Sequence, residues 1–432
     1  MSISQNFPST RPSLNLNFAR SKTLDPRITF TRTSSATYVD DNGYIVTAGA
    51  NEPRFDHDPV TGESLGLLIE ESRVNNYHVW NSTTDTATNL NSAFIDTQIV
   101  SSVLTPRGVT ATAYTATKTG NTEQYHGLGG GANSFSISSN TSISASAYIK
   151  DFNNSDYRLY FVIAAYNAST DNRRYILYRA RPSTGEWISG AVHSNWSTPV
   201  TDVKDVGNGW YRFEISSTNT YEAGWDVIQF FFQLLNENNA QFYDPPTANT
   251  HGLYLSSPQF ELGNFPTSYI PTSGSTATRT PDNAKIEGTN FSNWYNPNEG
   301  SVYAKFSRVP LVSTNIFSFS DGTLLNRTNY RHDTDGTTVS LINVVNNITN
   351  AFPAVILNSG LIKIITSSIK TNDYIISSNG NLGGSDTDVS IPSVNQFGIG
   401  QVAGVSHYNG TISQLTYYPS RLSNQQLINL TK

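Results

Sequence analysis

The sixteen residues from Ile270 to Lys285 read IPTSGSTATRTPDNAK. Pro, Gly, Ser and Thr dominate this run, and such residues punctuate regular structure rather than continue it. Dense β-type patterning precedes it at Leu253–Leu262, and the pattern restarts after it at Val302–Phe306. The seam therefore divides the chain in two. It predicts an N-terminal arm at 1–25, a first β-sandwich at 26–270, a linker at 271–290 and a second β-sandwich at 291–432.

The fold class follows from the patterns on either side. Ile143, Ala145, Ala147 and Ile149 alternate with Ser144, Ser146 and Tyr148, and Tyr211, Phe213 and Ile215 repeat the period of two. That period belongs to strands with one face turned inward. Tyr157–Ala165 reads as a more continuous apolar strand, and Val227–Leu235 is dense enough to be buried on both faces. Asp40-Asp41-Asn42-Gly43 reads as a hairpin turn, since Asn-Gly tolerates the positive φ such turns need. Asp58-Pro59-Val60-Thr61-Gly62 reads as another turn. After the seam, strands are expected at Ile316–Phe319, Val339–Val345, Ala354–Leu357, Leu361–Thr366, Tyr374–Ser377, Phe397–Gly400 and Thr411–Tyr418. Many short strands with little helix give an all-β protein of jelly-roll or concanavalin A-like sandwiches. One helix is expected, at Asn424–Leu430. Ser423 and Gln426 form an S-x-x-Q capping box, and Leu422 and Leu427 stand at the staple positions. Residues 1–25 show one short strand signal, at Leu14–Phe18.

Composition bounds the function. Among 432 residues 14% are charged, with net charge −6, and Tyr (23) and Phe (21) are abundant. No basic run exists to neutralise phosphates, which argues against nucleic acid as a partner. No apolar run reaches the ~18 residues that span a bilayer. The segment MSISQNFPSTRPS lacks the apolar core of a secretion signal, so synthesis in a cytoplasm and a soluble product are expected. The absence of cysteine excludes disulfides, thiolate zinc sites and thiol catalysis.

Three stretches resemble phage tail-fibre and related virion proteins with concanavalin A-like or laminin-G-like lectin folds. The first is Leu24–Asn75, LDPRITFTRTSSATYVDDNGYI through PRFDHDPVTGESLGLLIEESRVNN. The second is Gln259–Asp282, QFELGNFPTSYIPTSGSTATRTPD. The third is Tyr408–Thr431, YNGTISQLTYYPSRLSNQQLINLT. The resemblance implies a virion component, on the tail or the capsid surface, whose sandwiches bind carbohydrate or neighbouring proteins. It carries no catalytic residues with it.

Each chemistry-bearing residue has a structural reading beside its functional one. Arg54-Phe55-Asp56-His57-Asp58 holds potential metal ligands, but in a strand His57 faces away from Asp56 and Asp58, which favours turn and surface roles. Glu70-Glu71 beside Arg73 suits a salt bridge better than a glycosidase pair, whose carboxylates must flank one sugar at about 5–9.5 Å. Gly127–Gly131 lacks the Lys-Ser/Thr of a phosphate loop and reads as a hairpin loop. Asp386-Thr387-Asp388 after Gly383-Gly384 offers loop oxygens to Ca²⁺, though loop chemistry alone explains it. No cofactor is required. The aromatic residues offer most. Trp187, His193, Asn195 and Trp196, then Tyr221 and Trp225, lie in Gly/Ser-rich stretches, where rings could pack on sugar C–H faces and polar partners meet hydroxyls. Tyr330 and His332, in a predicted loop Asn329–Asp333, have similar chemistry. Core filling is the competing reading for each.

These observations point to a non-enzymatic tail-fibre or receptor-binding component that attaches to host-surface polysaccharide, with the arm contacting other virion proteins. Weak single sites imply a homo-oligomer, in the first instance a trimer. A capsid- or tail-decorating adaptor without glycan recognition is the alternative, and a polysaccharide depolymerase the third.

Overall fold

The computed structural model describes residues 8–87, 95–120, 126–128, 134–138, 140–167, 169–170, 172–220, 225, 227–307 and 313–432. They form two antiparallel β-sandwiches and three short helices. One sandwich is inserted into the other.

The outer lobe is built from both ends of the chain. Its first sheet runs Asn381–Asp386, Tyr374–Ser378, Ile362–Lys370, Glu299–Ser307, Gly410–Tyr418, Ser64–Ile69, Phe55–His57. Leu14–Asn17 also pairs with Gly410–Tyr418, in the register Leu14↔Tyr417. The second sheet runs Thr29–Thr31, Asn283–Glu287, Gln396–Ile399, Thr314–Ser320, Arg327–His332, Thr338–Val345, and the last strand also takes Ile348–Ala351 and Ala354–Ile356. Leu16, Leu67, Phe306, Phe317, Leu341 and Ile399, drawn from both sheets, share its core.

The inner lobe occupies the middle of the chain. One sheet runs Ile95–Leu104, Thr110–Ala116, Gly252–Leu262, Thr141–Phe152, Tyr211–Asn219, Val200–Asp205. The facing sheet centres on Val227–Leu235, Arg158–Asn167 and Asn172–Arg181. Ile143, Ala145, Ala147 and Ile149 enter the core as the alternation predicts, opposite Phe161, Ile163, Phe230 and Phe232. The turn expected at Asp40–Gly43 joins Ala36–Val39 to Ile45–Ala48, and that expected at Asp58–Gly62 joins Phe55–His57 to Ser64–Ile69. The helix spans Asn424–Leu430 with its capping box complete, and Leu422 and Leu427 pack together on Ile375.

The linear partition at 25, 270 and 290 needs correction. The described part of the expected arm, residues 8–25, is not apart from the sandwiches, because Leu14, Leu16 and Phe18 are at most 2% exposed in the outer core. Within the segment 26–70, Thr29–Thr31, Phe55–His57 and Ser64–Ile69 are outer-lobe strands rather than inner-lobe ones. The run 271–290 is not a linker: Ala277–Arg279 pairs with Arg73–Asn75, and Asn283–Glu287 lies within an outer sheet. Antiparallel pairing is indifferent to sequence separation, so strand patterns locate elements without locating partners. The loop expected at Asn329–Asp333 is largely the strand Arg327–His332, paired on both edges.

The two crossings between lobes are locked by a buried ionic lattice. Arg54 pairs with Glu70 at 2.7 Å and with Asp282, and also donates to Thr37 O (2.8 Å) and Ser268 Oγ (3.0 Å). Arg32 pairs with Asp282 and Arg279 with Glu70, both at 2.9 Å. The three stretches quoted above meet here, since Asn409 accepts from the Glu71 amide at 2.8 Å. Two glycines of those stretches are sterically required. A Cβ on Gly66 would lie 2.3 Å from Ile412 O, and one on Gly263 would enter the Arg73 guanidinium.

Candidate functional site

A cleft of about 580 Å³ lies where the lobes meet. One side is the separate hairpin Ala36–Val39/Ile45–Ala48, whose Ile45 packs on inner-lobe residues, with Asp56 of the outer lobe beside it in the lining. The inner lobe contributes the outward faces of Thr141–Phe152 and Tyr211–Asn219, the edge strand Val200–Asp205 and the segment 264–269. Alternation builds this wall from sequence. With Phe213 and Ile215 committed to the core side, Arg212, Glu214 and Ser216 must point the other way. Tyr148 follows the same rule and stands beside them, with the Arg212 guanidinium carbon 5.6 Å from its ring centre.

Most charges in the cleft are committed to one another. Glu214 takes Lys204 at 2.9 Å and Arg212 at 3.0 Å. Burial pushes its carboxyl up, but these two cations overcome that and hold it below the ordinary range. Arg212 also donates to Ser146 Oγ (3.2 Å) and Thr267 O (2.5 Å). For Glu70 burial is likewise outweighed, here by Arg279 and Arg54, and its pKa falls to about 2. Asp56 differs. One of its oxygens accepts the Val39 amide at 2.7 Å, and among the described residues no donor reaches the other. Burial pushes its pKa up to about 6, against the Val39 amide and Arg54. Asp56 and His57 together brace Val39, since His57 Nδ1 meets Val39 O at 3.0 Å. Asp58 caps its own turn through the Val60 and Thr61 amides.

The residues picked out from sequence are not gathered into one site. Trp196, 4% exposed, belongs to the inner core and donates to Arg174 O at 3.0 Å. Trp187 packs edge-on against Phe161 and Phe213 at 4.9 and 5.2 Å and donates to Asp202 O, so it supports the cleft strand from behind. Tyr330 and His332 are fully buried in the outer lobe, and Tyr330 stacks on Phe317 at 4.1 Å. These four are corrected to core or supporting residues, because alternation in an unrecognised strand placed the last two inward. His193 is exposed and Asn195 and Trp225 are half-buried. Asn195 O receives the Thr220 amide, and the Arg174 guanidinium lies 3.8 Å from the Trp225 ring centre. Tyr221 lies outside the described residues. Gly127–Leu128 is a short strand on Val227–Leu235, with 129–131 outside the described residues. Asp386 ends a strand and accepts the Asp388 amide at 3.0 Å. Among the described residues no group of three or more His, Asp or Glu could hold a metal ion, and no helix is long and apolar enough to cross a membrane.

The cleft residues Asp56, Tyr148, Arg212 and Glu214 were not assembled from sequence. The signal available was the polar face of two alternating strands, which by itself reads as solvent-facing.

No family model and no curated protein matches the chain. Among solved structures, the chain is similar to the CBM40 of Ruminococcus gnavus IT-sialidase bound to α2,3-sialyllactose, with 14% identity over 33% of this chain and 86% of that one and a TM-score of 0.27. It is similar to a heptameric SAP-like pentraxin from Limulus polyphemus, with 15% identity over 31% and 68% of the two chains and a TM-score of 0.24. It is also similar to domains LG4-5 of the mouse laminin α1 chain, with 7% identity over 66% and 84% and a TM-score of 0.21.

Proposed function

We propose that this protein is a non-enzymatic binding component of a bacteriophage particle, of the tail-fibre or receptor-binding kind, that attaches to host-surface carbohydrate. The carrying observation is the inter-lobe cleft. Its volume lies within the range of ligand pockets. Its walls combine aromatic side chains (Tyr38, Tyr148) with hydroxyl and amide groups (Thr201, Asn264), the mixture that sugars need for ring faces and hydroxyls. The locked crossings support the reading, because a preorganised cleft loses less entropy on binding. The virion assignment rests on the three resembling stretches.

A single shallow sugar site binds weakly, and a Kd near 1 mM corresponds to only about −4 kcal/mol. Several copies on one particle, a trimer in the simplest case, would convert that into firm attachment. The adaptor reading is favoured by one observation. Ile348, Phe352, Ile356 and Leu361 are about half exposed or more on the outer lobe, which suits contact with other virion proteins.

The test is retention of multimerised protein on immobilised host-surface polysaccharide, with competition of phage adsorption by the free protein. Saturable retention and competition are expected. Absence of both, with tight binding to purified virion proteins, would transfer the assignment to the adaptor.

A further inference from the structure

We infer that the inter-lobe cleft selects neutral, hydroxyl-rich saccharide over acidic sugar, with the Asp56 carboxylate accepting ligand hydroxyls beside the Tyr148 ring. This rests on the carbohydrate-binding reading above and adds the class of sugar and the residue that reads it.

The argument is one of commitment. An acidic sugar needs a cation free to receive its carboxylate, because a buried charge without a partner is strongly disfavoured. The lining carries two cations, Lys204 and Arg212, and four carboxylates, Asp56, Glu70, Asp202 and Glu214. Both cations already hold Glu214, and Arg212 spends further donors on Ser146 and Thr267. Glu70 is answered by Arg54 and Arg279 from within the lattice. Asp202 accepts its own neighbour's amide at the rim. The lining's carboxylates still outnumber its cations four to two, and that excess of negative charge repels an anionic ligand.

A neutral sugar reverses the balance. Its hydroxyls are donors, and the open oxygen of Asp56 is a charged acceptor, the stronger class of hydrogen bond. Rejection of a wrong ligand is steepest where a site's polar group would be left unpaired. Tyr148, 6% exposed, offers a fixed ring edge and hydroxyl that need no ordering on binding.

The experiment titrates the full chain with two sets of probes, neutral hexose oligosaccharides and sialylated or uronate-bearing ones. It repeats the titration with Asp56→Asn and Tyr148→Phe, and melting of each variant verifies the fold. The expected result is binding of neutral probes only. Asp56→Asn should weaken it at least tenfold with no loss of melting temperature, and Tyr148→Phe several-fold. Binding of acidic probes as tightly as neutral ones would overturn the selectivity while leaving carbohydrate attachment intact. Neutral binding unchanged in both variants would overturn the cleft as its location. No binding by any probe, alone or on a multimer, would remove the carbohydrate reading itself.

Discussion

Replacing Arg54 with methionine removes the cation at the centre of the lattice that joins the lobes. The side chain is fully buried and bonds Glu70, Asp282, Thr37 O and Ser268 Oγ. Methionine keeps much of the volume, so the principal loss is electrostatic. Two carboxylates stay buried, each with one remaining cation: Arg279 for Glu70 and Arg32 for Asp282. Removing one partner of a buried pair destabilises by about 3–5 kcal/mol. For an outer lobe of this size that lowers its melting temperature by roughly 10 °C. Calorimetry is the appropriate assay because it resolves the lobes if they uncouple. Lys285→Ala breaks an exposed pair with Glu287 (2.8 Å) and serves as the control, with a loss below ~1 kcal/mol. If Arg54→Met melts where the wild type and Lys285→Ala do, the lattice does not hold the lobes and the reasoning is refuted.

The remaining predictions concern acid, the terminus and the tryptophans. The stability contributed by Glu70, whose folded pKa is about 2 against an ordinary 4.5, is present above pH 4.5 and lost as pH falls toward 2, so Glu70→Gln should flatten the acid limb of unfolding. Asp56 has the opposite sign: its pKa of about 6 against 3.8 penalises the folded state above pH 6, so Asp56→Asn should raise the melting temperature at pH 8 and show no gain at pH 3. Deleting residues 1–18 strips Leu14, Leu16 and Phe18 from the core, at about 1.5–3 kcal/mol each, and should abolish cooperative melting of the outer lobe; an unchanged transition would contradict the pairing with Gly410–Tyr418. Trp196→Ala should destabilise the inner lobe by about 3–5 kcal/mol and leave sugar affinity of the folded fraction intact, which combined melting and titration would reveal.

Local physics was legible in the chain. The period of two along Ile143–Ile149, the Asn42-Gly43 turn and the Ser423/Gln426 box each depend on neighbours a few residues away, and the structure places a strand, a hairpin and a helix there. Period alone does not say what covers the second face of a strand. Ser144, Ser146 and Tyr148 look solvent-facing in sequence and are buried all the same, because segment 264–269 and the outer lobe lie over them. The same limit hid Tyr330 and His332, whose polar neighbours suggested a loop.

The sequence by itself determined an all-β, cysteine-free chain with its turns and its single capped C-terminal helix, since propensity, alternation and capping act over short distances. The tertiary structure alone decided that one sandwich is inserted in the sequence of the other, that Leu14 lies beside Tyr417, and that Asp56 and Tyr148 line one cleft. Strand edges carry the same backbone donors and acceptors everywhere, so the choice of partner comes from burying whole faces and pairing buried charges. Those are sums over residues hundreds of positions apart.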